Sequence, residues 1–177
     1  MHIALCDDDK TELSRLCSLL EECSRVKKCS ITYEAFQNAN ELLEAIKDRC
    51  FDLLFLDILM PGVTGMDAAI EIRQSDSDVP IIFLTSSREF AVESYRVRAE
   101  DYIMKPAGKD EIFPAIDRQM RKMAQGQTYL TLKTEGSFTR LPLEKIVYVE
   151  VKNRRLYFTL ADSVVREVYG YLADYEK

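Results

Sequence analysis

The chain contains the stretch Leu53-Leu54-Phe55-Leu56-Asp57, in which four apolar residues lead directly to a carboxylate. Continuous apolar runs of this kind, set between helix-like segments, are typical of strands buried on both faces of a parallel sheet. Three other runs end on polar residues in the same way: residues 2–6 on Asp7 and Asp8, 81–84 on Thr85, and 102–104 on Lys105. Because parallel sheets bind ligands at the carboxyl ends of their strands, we expect these polar groups to converge at one edge.

The first 120 residues alternate between strand-like and helix-like segments, with short loops between them. Five such units imply an α/β fold with right-handed crossovers and with helices on both faces of the sheet. We therefore predict a flavodoxin-like, doubly wound, five-stranded parallel sheet with the strand order 2-1-3-4-5.

Capping residues and prolines predict where the helices of this part begin. Thr11 is expected to cap the first helix, and one of the serines at 86–87 the fourth, which then runs through Tyr95. The fifth helix is predicted at 109–124, although Pro114 favours a later start, because proline is tolerated best in the first turn of a helix.

After Gly126 the pattern changes to short segments rich in β-branched and aromatic residues, which predicts an antiparallel, all-β part. The predicted strands lie at 128–134, 138–141, 146–151, 156–160 and 163–168. The expected organisation is one domain at residues 1–122, a linker at 123–127 and a mainly-β part at 128–177. Residues 169–177 resemble the start of a helix, and a β part of this size is expected to be an incomplete domain.

Composition and charge limit the classes of partner. No apolar stretch approaches the roughly 20 residues that a membrane-spanning helix needs. Residues 1–120 carry 14 basic and 23 acidic side chains, whereas residues 121–177 carry 10 and 7, so only the later part suits a phosphate backbone. The five cysteines show no Cys-x-x-Cys spacing, which indicates neither a disulfide framework nor zinc and fits a reducing cytoplasm.

The polar residues at the strand ends suit phosphoryl chemistry. Asp7, Asp8 and Asp57 would repel one another at one sheet edge, and a divalent cation such as Mg²⁺, which prefers oxygen ligands, resolves that repulsion. An aspartate can then act as nucleophile towards an activated phosphoryl group. Lys105 would neutralise the charge on the transferred oxygens, and Thr85 would donate a hydrogen bond to the phosphate.

These residues and their spacing closely resemble the receiver domain of bacterial two-component response regulators, over most of residues 1–120. The matching motifs are Leu5-Cys6-Asp7-Asp8-Asp9, Leu56-Asp57-Ile58-Leu59-Met60-Pro61-Gly62, Leu84-Thr85-Ser86-Ser87 and Asp101-Tyr102-Ile103-Met104-Lys105-Pro106. The resemblance implies that a sensor histidine kinase phosphorylates Asp57. It also implies that Asp8, Asp57 and the backbone carbonyl of Leu59 bind Mg²⁺ directly, and that Asp7 acts through water.

The same resemblance implies a switch. Thr85 and Tyr102 would move together when the phosphate arrives, and the Lys105–Pro106 peptide bond would be cis. The charged cluster at 96–101 lies on a face that often builds a symmetric dimer in receivers, so a homodimer is expected on phosphorylation.

The C-terminal part is similar to the beginning of a LytTR-type DNA-binding domain. The resemblance is carried by residues 142–150, by Lys152-Asn153-Arg154-Arg155-Leu156 and by residues 165–168. In that family, loops between strands enter the major grooves of DNA, which implies that Asn153, Arg154 and Arg155 contact promoter DNA. The whole protein would then be a transcription regulator that binds DNA and does not bind a membrane.

Two other classes of function remain open from the residues alone. The first is an aspartate-nucleophile phosphatase that turns over external substrates, although such enzymes carry an acidic residue at the position that Leu59 holds here. The second is an interaction module that works without phosphorylation and whose acidic cluster is vestigial. Asp9 is expected to cap or solvate the following helix and not to bind metal.

Overall fold

The computed structural model describes residues 1–75, 78–124, 129–134 and 137–172. Its first part is a five-stranded parallel sheet with the strand order 2-1-3-4-5, as predicted. The strands are β1 (His2–Cys6), β2 (Thr32–Phe36), β3 (Leu53–Leu56), β4 (Ile81–Thr85) and β5 (Asp101–Met104).

Helices cover both faces of this sheet. They are α1 (Lys10–Lys27), α2 (Ala39–Asp48), α3 (Gly65–Ser75), α4 (Ala91–Ser94) and α5 (Lys109–Ala124). Alternate residues of the central strands point to opposite faces, so that Leu53 and Phe55 pack against α1 and α5 while Leu54 and Leu56 pack against α2 and α3. Each residue of β3 is fully or almost fully buried, which explains why its sequence is a continuous apolar run.

Two predictions about helix starts, those for the first and fourth helices, are wrong, each for a local reason. Asp9, not Thr11, caps α1, because its carboxylate accepts a hydrogen bond from the Thr11 backbone nitrogen at 2.7 Å. The fifth helix spans Lys109–Ala124, as predicted, and Pro114 does not delay its start. Proline there removes only the bond to the carbonyl of Asp110, and that carbonyl belongs to an exposed first turn where water can replace the bond.

The fourth helix is much shorter than predicted. It spans Ala91–Ser94 and does not begin at residues 86–87. The hydroxyl of Thr85 accepts a hydrogen bond from the Ser87 nitrogen, and the hydroxyl of Ser87 accepts one from the Glu89 nitrogen. These side chains hold the backbone in turns that compete with a helix.

The C-terminal part is antiparallel, as predicted, with two small sheets. Its strands are β6 (Tyr129–Thr134), β7 (Ser137–Pro142), β8 (Ile146–Lys152), β9 (Arg155–Leu160) and β10 (Val165–Tyr169). A small core joins them, centred on Leu156 and Phe158 of β9. The predicted helix at 169–177 is wrong at Tyr169, which ends β10, and residues 173–177 lie outside the described residues.

The predicted linker at 123–127 overlaps the last residues of α5, and residues 125–128 lie outside the described part of the chain, so the domain boundaries stay a prediction. In the described residues, none of the helices combines the length and the apolar character that crossing a bilayer requires.

Gly65 fixes how closely α3 approaches β3. A Cβ atom at this position would lie 1.9 Å from the backbone oxygen of Asp57, and the Gly65 nitrogen donates a hydrogen bond to the Ile58 oxygen at 3.1 Å. Backbone atoms cannot move aside as the end of a side chain can. Glycine at this position therefore determines the path of the loop that follows Asp57.

We predict that Gly65→Ala lowers the free energy of unfolding in urea by about 1–3 kcal/mol, because the added methyl group forces the loop away from β3. Gly108→Ala is the matched control. Its Cβ would meet only the flexible Glu111 carboxylate at 3.4 Å, so its effect should stay within about 0.5 kcal/mol. Equal losses in the two variants would contradict this account of Gly65.

Candidate functional site

The candidate site lies at the carboxyl ends of β1, β3, β4 and β5, where the sequence places it. Backbone hydrogen bonds set the positions of its residues. The Asp57 nitrogen donates to the Cys6 oxygen at 2.8 Å, and the Lys105 nitrogen donates to the Thr85 oxygen at 2.9 Å. The sheet ladder thereby brings side chains from four separate stretches of sequence to one edge.

Lys105 joins two buried carboxylates at the centre of the site. Its Nζ lies 2.7 Å from Asp57 Oδ2 and 2.6 Å from Asp7 Oδ2. Asp7 is 1% and Asp57 5% exposed. Burial opposes the charge of the Lys105 ammonium, but the hydrogen bonds and charges of Asp57 and Asp7 outweigh it and raise the pKa of Lys105. The lysine therefore stays protonated and neutralises one of the two negative charges.

One negative charge remains only partly compensated. Burial raises the pKa of Asp7, although the charge of Lys105 opposes that effect. Among the described residues, Asp7 Oδ2 has the ion pair with Lys105 Nζ at 2.6 Å but no assigned hydrogen bond. A buried carboxylate oxygen without a hydrogen bond is costly, and a cation is the group that would relieve that cost.

The donor set fits a magnesium ion. Asp7, Asp8 and Asp57 each offer a carboxylate oxygen, and these oxygens lie within 4.8 Å of one another. Asp8 is exposed, so that an ion held here keeps access to water. Mg²⁺ prefers oxygen ligands and retains several waters, which this half-open cluster allows. The Leu59 nitrogen donates to Asp57 Oδ1 at 3.2 Å, which holds the following loop against the cluster, while the role of the Leu59 carbonyl stays a prediction.

Thr85 and Tyr102 share one contact region beside the acidic cluster. Thr85 is fully buried, and its Oγ1 accepts a hydrogen bond from the Ser87 nitrogen at 3.3 Å. The Tyr102 hydroxyl donates to the Ser87 oxygen at 2.6 Å. Burial raises the pKa of the Tyr102 phenol, so that it remains a donor. Both side chains therefore hold the same short turn from opposite sides.

Two features of the site were not found by sequence reasoning. Ser87 acts through its backbone, which leaves no signal in the residue type. Gly65 stands eight positions after Asp57 in the sequence, but its residue type alone does not indicate the close approach to the Asp57 backbone. The Lys105–Pro106 bond is cis, as the resemblance implied.

Cys6 lies directly before the acidic pair and is not a candidate nucleophile. Burial raises the pKa of its thiol to about 12, and the neighbouring Asp7 carboxylate adds to that effect. The protonated thiol contacts Met60, with 3.6 Å between the two sulfur atoms. Cys6 is therefore a packing residue below the site.

The predicted DNA contacts lie far from this edge, in the turn between β8 and β9. Asn153 and Arg154 both have positive φ angles, 50° and 61°, which is typical of a tight two-residue hairpin. Arg154 is exposed, with its guanidinium 6.0 Å from the Tyr171 ring centroid. Arg155 is also exposed but forms an ion pair with Glu167. Arg154 is consequently the better placed of the two arginines for an external phosphate or base.

Comparisons with known proteins agree with the geometry. The family model for the response regulator receiver domain matches residues 3–117. The transcriptional regulatory protein NatR of Bacillus subtilis is 28% identical, over 86% of this chain and 64% of its own length. The sensory transduction protein LytT of Enterococcus faecalis is 27% identical, over 100% of this chain and 76% of its own. LytT of Oceanobacillus iheyensis is 29% identical, over 67% of this chain and 47% of its own.

These matches confirm the predicted relationship to LytT- and LytR-type regulators, and the chain spans 64% and 47% of the lengths of NatR and the Oceanobacillus LytT.

Two solved structures share the fold of the first part. The response regulatory domain of mrkE from Klebsiella pneumoniae has a TM-score of 0.63 and 26% identity, covering 71% of this chain and 99% of that domain. A CheY-like receiver domain protein from Methanospirillum hungatei has a TM-score of 0.62 and 25% identity, covering 71% and 98%.

We predict that Mg²⁺ raises the thermal unfolding midpoint in a saturable way, because only the folded chain brings the three carboxylates together. Asp57→Asn and Asp8→Asn should each weaken the response at least about ten-fold in apparent Kd. Asp9→Asn is the matched control, since asparagine still caps α1 and Asp9 is outside the cluster. A response that survives both cluster substitutions would contradict the proposed ligands.

Proposed function

Because the chain belongs to the family of response regulator receiver domains, we propose that Asp57 is its phosphoacceptor and that a sensor histidine kinase is the donor. The observation that carries this proposal is the contact of the buried Asp57 carboxylate with Lys105 Nζ at 2.7 Å, beside the acidic cluster. Without such charge compensation, a carboxylate would be a poor acceptor of the phosphoryl group, even when a kinase supplies that group.

The transfer follows from this arrangement. An oxygen of Asp57 attacks the phosphorus, the bond from phosphorus to the donor histidine nitrogen breaks, and an acyl phosphate remains on Asp57. Lys105 stays protonated and compensates the negative charge of the phosphoryl oxygens. When bound by Asp7, Asp8 and Asp57, Mg²⁺ would supply further charge neutralisation to those oxygens.

The contacts of Ser87 support a switch that involves Thr85 and Tyr102. If Thr85 Oγ1 turns to donate to the phosphoryl group, the Ser87 nitrogen loses its acceptor, and the bonds of Ser87 with Tyr102 and Glu89 remain. The carbonyl of Ser87 is the acceptor of the Tyr102 hydroxyl, so a shift of the turn requires a new position of the tyrosine ring. Movement of either side chain therefore entails movement of the other.

The proposed output is transcription control by a phosphorylation-dependent homodimer. Val92 and Tyr95 are 79% and 82% exposed at α4. The neighbouring Asp101 pairs with Arg118 on the surface of α5. An exposed apolar pair beside charged groups suits a symmetric contact, in which each patch meets its own copy. Light scattering of the phosphorylated protein tests this, and a mass that stays monomeric would contradict it.

We assign the protein to regulation, not to turnover of external substrates. The matching family and the relatives named above are regulatory and sensory proteins. Leu59 occupies the position where an aspartate phosphatase would need a general acid, and its apolar side chain cannot transfer a proton. Residues of this chain would assist only its own phosphorylation and dephosphorylation. The five free cysteines fit a cytoplasmic location.

We predict that incubation with acetyl phosphate and Mg²⁺ adds the mass of one phosphoryl group to the intact protein, because Lys105 and the cluster activate Asp57. Asp57→Asn should gain none. The matched control Asp67→Asn changes an exposed aspartate of α3 that interacts with Thr64, and it should gain one group as the unaltered chain does. A gain that persists in Asp57→Asn would identify a different acceptor and contradict the proposal.

We also predict that Arg154→Ala weakens binding to duplex DNA of any sequence, because the exposed guanidinium would contact phosphate. The slope of log K against log salt should fall by about 1, as measured by fluorescence anisotropy. Lys47→Ala removes an exposed positive charge from α2 and serves as the control, with an unchanged slope expected. Equal slopes for Arg154→Ala and the unaltered protein would exclude this contact.

A further inference from the structure

A cleft of about 450 Å³ separates the amino ends of the receiver strands from the β-rich C-terminal part. Asp52, Asp78 and Glu100 line it on the receiver side, and Thr131 and Lys145 line it on the other side. The cleft lies at the end of the sheet opposite to Asp57. It is lined by charged and polar groups, as is common for contacts between domains that separate and rejoin.

A direct ion pair crosses this cleft. Lys145 Nζ lies 3.3 Å from Asp78 Oδ1 and 3.4 Å from Asp78 Oδ2, so that it contacts both oxygens of the carboxylate. The Lys145 carbonyl accepts a hydrogen bond from the Ala161 nitrogen at 2.8 Å, which fixes the lysine to the turn after β9. The pair therefore connects the receiver part to a residue whose backbone is bonded within the C-terminal part.

The three receiver residues of the cleft precede the strands that end at the phosphorylation site. Asp52 precedes β3, which leads to Asp57, and Glu100 precedes β5, which leads to Lys105. Asp78 lies just before β4, which ends at Thr85.

The amino ends of these strands are bonded to one another. The Leu54 nitrogen donates to the Pro80 oxygen at 2.9 Å, and the Glu100 nitrogen donates to the Ile81 oxygen at 2.8 Å. Strands of this length span roughly 15 Å, and a closely packed interior transmits strain.

We infer that Lys145 and Asp78 form a latch between the two parts of the chain, and that opening of the latch is coupled to occupation of the Asp57 site through β3, β4 and β5. The inference rests on the proposed function, since it requires that site to bind Mg²⁺. An ion pair with this exposure changes the ratio of two states by up to about five-fold, so the latch opens and closes near equilibrium. Coupling between two sites is reciprocal: Mg²⁺ must change the latch, and the latch must change the affinity for Mg²⁺.

A zero-length carbodiimide cross-link measures the latch in the unaltered chain. The reagent joins a lysine to a contacting carboxylate as an amide with loss of water, and peptide mass spectrometry gives the yield. The Lys27–Asp117 pair, 2.5 Å apart and formed between α1 and α5 outside the cleft, is the internal control. We expect saturating Mg²⁺ to change the Lys145–Asp78 yield by about two- to five-fold relative to this control. NaCl of equal ionic strength, and Mg²⁺ with Asp57→Asn, should leave the ratio unchanged.

Charge reversal tests the reciprocal effect. Asp78→Lys adds positive charge to the protein, and Lys145→Asp adds negative charge. The long-range electrostatic effects of these two substitutions must therefore shift the Mg²⁺ affinity in opposite directions. Opening of the latch instead shifts it in the same direction in both variants, by up to about five-fold. The double variant restores an ion pair of reversed polarity and should return the affinity to that of the unaltered chain. Lys152→Asp, an exposed lysine of β8 outside the cleft, controls for net charge.

The outcomes separate the latch from the phosphorylation site. Shifts in the same direction with recovery in the double variant support the coupled latch, as does a cross-link yield that depends on Mg²⁺. Opposite shifts, or a constant yield in a chain that binds Mg²⁺, overturn it while the proposed function stands. If the unaltered chain binds no Mg²⁺ and gains no phosphoryl group, the proposed function and the coupling both fail. Circular dichroism of each variant confirms folding before these comparisons.

Discussion

Holding Asp7 and Asp57 at one buried sheet edge has an electrostatic cost, and the rest of the structure must compensate for it. The sheet register fixes their separation, so they cannot relax apart, and Lys105 compensates only part of their charge. Packing supplies the rest of the stability: residues on both faces of β3 are enclosed by helices, which allows the edge to carry an unfavourable charge arrangement. A site of this kind is poised to accept a cation, since binding removes a cost that folding imposed.

The residues whose positions were predicted best from the sequence are those whose environment follows a simple rule. The apolar runs that lead to Asp57 and Thr85 are typical of doubly buried strands, and parallel strands place their carboxyl ends together, so the fold and the convergence of the polar side chains were predictable. Side-chain competition for the backbone was less predictable. The hydroxyls of Thr85 and Ser87 shorten α4, and nothing in their residue type distinguishes a helix cap from a turn. Long-range contacts such as that of Lys145 with Asp78 leave no local pattern at all.

The C-terminal part has a different balance of forces. Its core is small and centred on β9, and the outer residues of β8, such as Val147 and Val151, are more than half exposed. The tight turn at Asn153 and Arg154 is also held from outside the hairpin, because the Arg154 oxygen accepts a hydrogen bond from the Gly170 nitrogen at 3.1 Å. This part therefore presents its basic turn on a hairpin that is tied to the residue after β10.

The shortness of α4 has a consequence for how the receiver part rearranges. Between Ser86 and Glu100 the backbone is held largely by single turns, such as the bonds from Arg96 to Glu93 and from Arg98 to Tyr95. The adjacent β4 is bonded to neighbours on both sides and is fully buried. Reshaping the segment breaks single turns and moves the buried side chain of Val97, whereas reshaping the strand would break a whole ladder of hydrogen bonds. The molecule thus concentrates its conformational freedom in one segment and keeps the framework beside it rigid, so a small chemical event can alter the surface without unfolding the domain.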